Sequence, residues 1–192
     1  MKAIINATLV MRDHYIVDAY LLIGDDGMIA DYGMMRDRQL PEGIETIDAE
    51  GWFVGPGFVD IHSHAGGKHP FAEEPAAAAR HHLEHGTTSV LATLGYSMRL
   101  PDYLRSLPEI EALMQTEEGC NIAGVYMEGP YINTNFGSHK FDMPWSKPLD
   151  PKDYLPIIEA GKRIVRAWTV APEREGILDF VKAVKKEIPD VS

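Results

Sequence analysis

The chain has 192 residues, 45% of them hydrophobic, and a formal net charge of −11. With a mean hydropathy of −0.18 and a pI near 5.1, it has the composition of a soluble globular protein with room for one sizeable core or a core plus a small lobe. The acidic balance argues against nucleic acid as a partner, since a phosphate backbone wants a basic face, but a small anionic substrate needs only a few local cations.

A single cysteine, Cys120, cannot form an internal disulfide. It follows Glu117, Glu118 and Gly119 and reads as a buried structural residue rather than a nucleophile. The N-terminus soon meets Arg12 and Asp13 and has no apolar signal core, and no stretch approaches bilayer length. The expectation is a cytoplasmic protein with no membrane partner.

Residues 1–54 read as a small β lobe. Strands are expected at Lys2–Met11, Ile16–Ile23, Met28–Tyr32 and Glu45–Asp48, mutually antiparallel, with a hairpin turn at Gly24-Asp25-Asp26-Gly27. From residue 55 the rhythm changes. Strands at Phe58–His62, Thr87–Thr93, Ile122–Glu128 and Ile164–Ala171 alternate with helices at Pro75–His85, Pro101–Met114, Asp150–Ala160 and Gly176–Ile188. Pro108 is a possible interruption of the second helix. Strand and helix in alternation are the signature of parallel βαβ units, and four such units make half of an eight-stranded barrel. The fold class is therefore α/β: the first half of a TIM-type (β/α)8 barrel over residues 55–192, incomplete at its C-terminus, preceded by a small β-sandwich lobe over 1–54. A doubly wound open sheet is the alternative, weakened because His62-Ser63-His64 stands where a Gly-rich phosphate loop would follow the first strand.

Alternation along that strand places Phe58, Asp60, His62 and His64 on one face. Val59 and Ile61 fall on the other, suited to packing under helices. Two imidazoles at this spacing can converge on one ion, and they lie at the C-terminal strand end, where barrel enzymes place their sites. Glu128 ends another inner strand, expected to neighbour the first, before Gly129-Pro130 turns the chain away. Two histidines and a carboxylate suit a divalent cation of borderline hardness. Asp60 is expected to support the histidines by hydrogen bonding.

The run Pro56-Gly57-Phe58-Val59-Asp60-Ile61-His62-Ser63-His64 resembles the metal-binding opening of the amidohydrolase superfamily. Glu128-Gly129-Pro130-Tyr131-Ile132-Asn133, then Gly137-Ser138-His139 and Thr169-Val170-Ala171-Pro172-Glu173, are similar to the N-acetylglucosamine-6-phosphate deacetylase family in its N-terminal half. The resemblance implies metal ligation by Glu128, an accessory or second-metal site at His62 and His64, and sugar contact by Ser138 and His139. Ser138 departs from the alanine usual before that histidine. The implied cofactor is one or two divalent ions, zinc first, with iron, manganese or cobalt as alternatives. The implied reaction releases acetate from an amino-sugar phosphate, and the implied assembly is a homodimer. The family's further histidine ligands, general acid/base aspartate and phosphate-binding arginine are expected beyond Ser192, so the chain alone is expected to be incomplete and inactive.

Two other readings compete: a different amidohydrolase (dihydroorotase, hydantoinase or N-acyl-amino-acid deacylase), or a non-catalytic half-barrel. His81, His82 and His85 are expected on a solvated helix face along the outer wall. Tyr131, Phe136, Phe141 and Trp145, in the long loop after Glu128, either cover a sugar or anchor the loop.

Overall fold

The computed structural model describes residues 1–133, 135, 136 and 144–192. Its contacts divide the chain into two compact units, Met1–Pro56 and Gly57–Ser192.

The first unit holds β1 (Lys2–Val10), β2 (Tyr15–Ile23), β3 (Ile29–Met34), β4 (Glu45–Asp48) and β5 (Phe53–Val54). They form one sheet in the order β3-β2-β1-β4, with β5 also on β1. The β2–β3 turn is closed by Gly27 N–H donating to Gly24 O at 3.0 Å and Gly24 N–H to Met28 O at 2.8 Å. Gly27 has φ 78°, a conformation a side chain would resist. The sheet is mixed rather than antiparallel throughout, because β4 and β5 run parallel to β1. The chain between Met34 and Glu45 recrosses instead of turning back, so β4 enters in the direction of β1. Two small clusters, Ala3 with Tyr20 and Leu22 and Ala7 with Leu9 and Ala19, are buried along it.

The second unit opens with β6 (Phe58–Ser63) and a short hairpin of β7 (Ala65–Gly66) and β8 (His69–Pro70). It continues through α1 (Pro75–Glu84), β9 (Thr87–Gly95), α2 (Leu100–Leu113), β10 (Ile122–Glu128), α3 (Pro151–Gly161), β11 (Val165–Thr169) and α4 (Ile177–Glu187). The sheet order is β11-β10-β9-β6, every pair parallel. Beyond β11, Ser192 N–H donates to Arg166 O and Trp168 N–H to Ser192 O, both at 3.0 Å.

Local sequence explains these elements. Val90, Ala92 and Leu94 alternate on β9 and are fully buried, as one face of a covered strand requires. Tyr103, Leu107 and Ile110 fall at helical spacing on α2 and are equally buried. That apolar stripe carries α2 unbroken through Pro108, the site of the expected interruption. At the start of α3, Asp150 accepts from Lys152 N–H at 2.9 Å, an N-cap followed by proline in the first turn. No helix among the described residues is long and apolar enough to cross a membrane.

β6 departs from expectation on its apolar face. Val59 and Ile61 are 71% and 67% exposed, since β6 is the sheet edge and α1, the next helix, packs on β9.

Candidate metal centre

His62 lies near the end of β6 and His64 just past it; Glu128 is the last residue of β10. The two strands are not neighbours, because β9 runs between them. Their C-terminal ends nevertheless bring the three side chains together. His64 Nε2 is 2.9 Å from Glu128 Oε2, His62 Nε2 is 3.9 Å from the same oxygen, and the two Nε2 atoms are 3.4 Å apart. Among the described residues, one ligand atom from each forms a group within 4.8 Å.

These separations fit a small divalent ion. Two bonds of about 2.0–2.1 Å at a tetrahedral angle place their donor atoms about 3.4 Å apart, and the three observed distances bracket that value. Two imidazole nitrogens and one carboxylate oxygen are the donor chemistry of zinc and its borderline neighbours. The histidines are exposed and Glu128 is half-buried, so the cluster has an open side.

Nearby groups hold the cluster in shape. Tyr126, two residues before Glu128 and so on the same face of β10, stacks on His62 with ring centroids 4.6 Å apart. Its hydroxyl is bonded to that of Thr169 on β11. Asp60 accepts from the backbone N–H of His62 at 3.0 Å, so its support reaches the main chain of His62 rather than its ring. After Glu128, the carbonyl of Gly129 accepts from Trp168 Nε1 at 2.6 Å. A Cβ on Gly129 would lie 2.8 Å from Tyr96 Cβ, so the sharp exit from β10 depends on glycine there.

An open cleft of about 520 Å³ adjoins Glu128, bordered by Tyr96, Asn133, Phe136, Thr169 and Glu173 among others. Asn133 donates through Nδ2 to Glu173, and that bond is the largest cause holding the Glu173 carboxyl below its usual range. Ser138 and His139, expected to contact a sugar, lie outside the described residues, as does Phe141. The other loop aromatics divide their roles. Tyr131 and Trp145 are buried and pack edge to face at 5.8 Å, anchoring the loop, whereas exposed Phe136 borders the cleft.

Two further expectations are corrected. Cys120 is exposed: the turn before it points Gly119 inward, where a Cβ would meet Leu113 O at 2.3 Å, and the cysteine is left outside. His82 is not part of a solvated face. Its Nε2 lies 3.1 Å from Ser63 Oγ and 3.2 Å from Ala65 O, the residues on either side of His64. Residue types alone give no sign of this contact; it follows from the buried face of α1, where His82 shares a side with Ala78 and Ala79.

Fold and site together define a class, the first half of a TIM-type barrel of amidohydrolase architecture, with a small β lobe ahead of it. Within that class, the chain resembles N-acetylglucosamine-6-phosphate deacetylases over nearly its whole length. It is 27% identical over 190 residues to the enzyme of that name from Bos taurus, covering 95% of this chain and 43% of the relative. An N-acetylgalactosamine-6-phosphate deacetylase of Escherichia coli O157:H7 is 25% identical over 193 residues, covering 97% of this chain and 48% of that one. Among solved structures, N-acetyl-D-glucosamine-6-phosphate deacetylase from Mycobacterium smegmatis superposes with a TM-score of 0.70 at 26% identity, covering 96% of this chain and 52% of that chain. The Pasteurella multocida enzyme superposes at 0.69 with 23% identity, covering 95% and 48%, a likeness of fold alone. The chain thus spans about half the length of the relatives it matches. No family model matches it.

Proposed function

We propose that this chain supplies the ion-binding half of an amino-sugar phosphate deacetylase, which hydrolyses the acetamide of N-acetylglucosamine 6-phosphate to glucosamine 6-phosphate and acetate. The observation that carries this reading is the convergence of His62, His64 and Glu128 at one rim of a parallel sheet. The resemblance to enzymes of that name over 95% of the chain supports the choice of substrate.

Glu128 supplies the negative charge of the ligand set, and His62 and His64 supply neutral nitrogen donors. Together they would hold a divalent cation, zinc first, which would supply Lewis-acid polarisation of an acetamide carbonyl and a lowered pKa for a bound water. The adjoining cleft gives the sugar a surface on which to lie. Asn133 and Glu173 present an amide and a carboxylate to its hydroxyl groups, and Phe136 presents an apolar face. Ser138 and His139 are proposed to contact the sugar from the same loop. The groups that transfer the proton and bind the phosphate are proposed to lie outside this chain, in the remainder of the barrel or in a second subunit of a homodimer.

The test is acetate release from N-acetylglucosamine 6-phosphate by the natural full-length polypeptide, before and after chelation. Chelator-sensitive release that zinc restores is the expected outcome. Metal-replete protein that leaves this substrate intact while hydrolysing another amide would overturn the assignment. N-acetylgalactosamine 6-phosphate belongs in the same assay, given the name of the Escherichia coli relative.

A further inference from the structure

We infer that His82, on α1, is a positioning residue for the ion site, holding the backbone between and beyond the two histidine ligands so that both imidazoles face the rim. The inference rests on the reading of His62, His64 and Glu128 as ion ligands.

The hydrogen-bond geometry fixes which way the proton points. Ala65 O lies 3.2 Å from His82 Nε2 and can only accept, so Nε2 carries the hydrogen. Ser63 Oγ donates to the same carbonyl at 3.0 Å, which leaves its lone pairs free to accept from Nε2 at 3.1 Å. One imidazole N–H therefore serves both Ser63 and Ala65, the residues on either side of His64.

Strand geometry turns this into control over the ligands. Side chains alternate across a strand, so Ser63 faces away from His62 and His64. Tying Ser63 outward to α1 turns the two imidazoles inward. The tie is rigid at its far end, because the His82 ring stacks on Phe71 at 5.7 Å with 14° between planes. Phe71 is fully buried, and its N–H donates to His64 O at 2.9 Å. Close approach of the turn to α1 depends on Gly66, where a Cβ would meet Ala78 O at 2.2 Å. Three contacts thus converge on residues 63–66, and His82 supplies the side-chain hydrogen bonds that reach them from α1.

Cobalt(II) is the probe, since its visible absorption reports both occupancy and ligand geometry. It is titrated into the natural full-length polypeptide and into its His82→Leu, His82→Gln and control His85→Leu variants, the last losing an imidazole that bonds within its own helix to His81 O. Metal-free melting temperature is recorded for each. His82→Leu is expected to weaken cobalt binding by about tenfold, the lower end for loss of groups that orient metal ligands, and to shift the absorption band. His82→Gln, whose side-chain amide can donate from near the imidazole Nε2 position, restores affinity to within about threefold of the parent. His85→Leu matches the parent.

Unchanged affinity and spectrum in His82→Leu would overturn the positioning role. Should the leucine variant fail to fold, His82→Asn replaces it: its shorter amide falls short of Ala65 O, so equal binding by the Asn and Gln variants is the overturning result. Full-length parent that takes up no cobalt overturns the ion-site reading itself, an outcome read in a separate arm.

Discussion

His64 Nε2 stands 2.9 Å from Glu128 Oε2, although β9 runs between the strands that carry them. Parallel strands in register bring their C-terminal ends to one rim, and there side chains from alternate strands can reach across. Glu128 is the only anion of the three, so it dominates the attraction for a cation. Zinc that binds the folded form alone, at 100 times its dissociation constant, adds about 2.7 kcal/mol to stability. Glu128→Gln is expected to abolish that increment while leaving the metal-free protein nearly as stable as the parent. Thermal melts with and without zinc measure both. An increment that survives in Glu128→Gln would remove Glu128 from the ligand set.

Gly66 gives a second prediction, from packing. A methyl added there would lie 2.2 Å from Ala78 O and 2.7 Å from Ala78 Cα. Both are backbone atoms of α1, so neither can rotate aside. Gly66→Ala therefore forces the turn after His64 away from the helix, at a cost of about 3 kcal/mol, the upper end of ordinary overpacking. Urea denaturation is the measurement, and a loss below about 0.5 kcal/mol would show that the turn adapts.

How far the sequence foretold this arrangement depends on the kind of contact. Alternating strand and helix patterns mark βα units, because each element's periodicity is local and survives without its partners. That His62, His64 and Glu128 come together is legible for a related reason: all three lie at strand ends, and parallel sheets gather those ends. What stayed hidden depends on which surface meets which. Val59 and Ile61 have the pattern of a covered strand face, yet β6 is an edge. The direction of β4 is set by a crossover whose residues carry no directional signal. Likewise, His82 differs from His81 and His85 only in the rotation of α1 about its axis, and a helix of mostly alanines in its first two turns leaves that rotation undetermined.

The pair between Glu111 on α2 and Arg163, just before β11, carries a pH dependence. Arg163 donates to both carboxylate oxygens, with Nη2 to Oε2 at 2.7 Å. Its hydrogen bond is the largest cause holding the Glu111 carboxyl below the usual 4.5. A depressed carboxylate pKa stabilises the fold above the unfolded value, and the contribution disappears as pH falls through the lower, folded value. Glu111→Gln should therefore lower the melting temperature slightly at neutral pH, by about a degree or two, as expected for a solvent-facing pair. The gap between parent and variant should close on acidification below the ordinary glutamate range. A gap that is constant across pH would mean the pair acts through packing and not charge.

Arg174 ties the two ends of the segment that follows Glu128. Its Nη1 donates to Trp145 O at 2.7 Å and to Ile132 O at 3.3 Å, and Nη2 donates to Lys147 O at 2.7 Å. The guanidinium also lies over the Tyr131 ring, 5.5 Å from its centroid. Carbonyls from both sides of the loop thus share one cation, a planar fork that lysine's point charge cannot reproduce. Arg174→Ala leaves these carbonyls to water or to no partner, and the expected loss is about 2–3 kcal/mol. Arg174→Lys should recover less than half of it. Because Asn133 adjoins Ile132 and borders the cleft, the alanine variant should also expose the backbone amides of 131–133 and 145–147 to faster hydrogen exchange. Exchange that is unchanged there, alongside a full loss of stability, would place the role of Arg174 in the Tyr131 core instead of the loop.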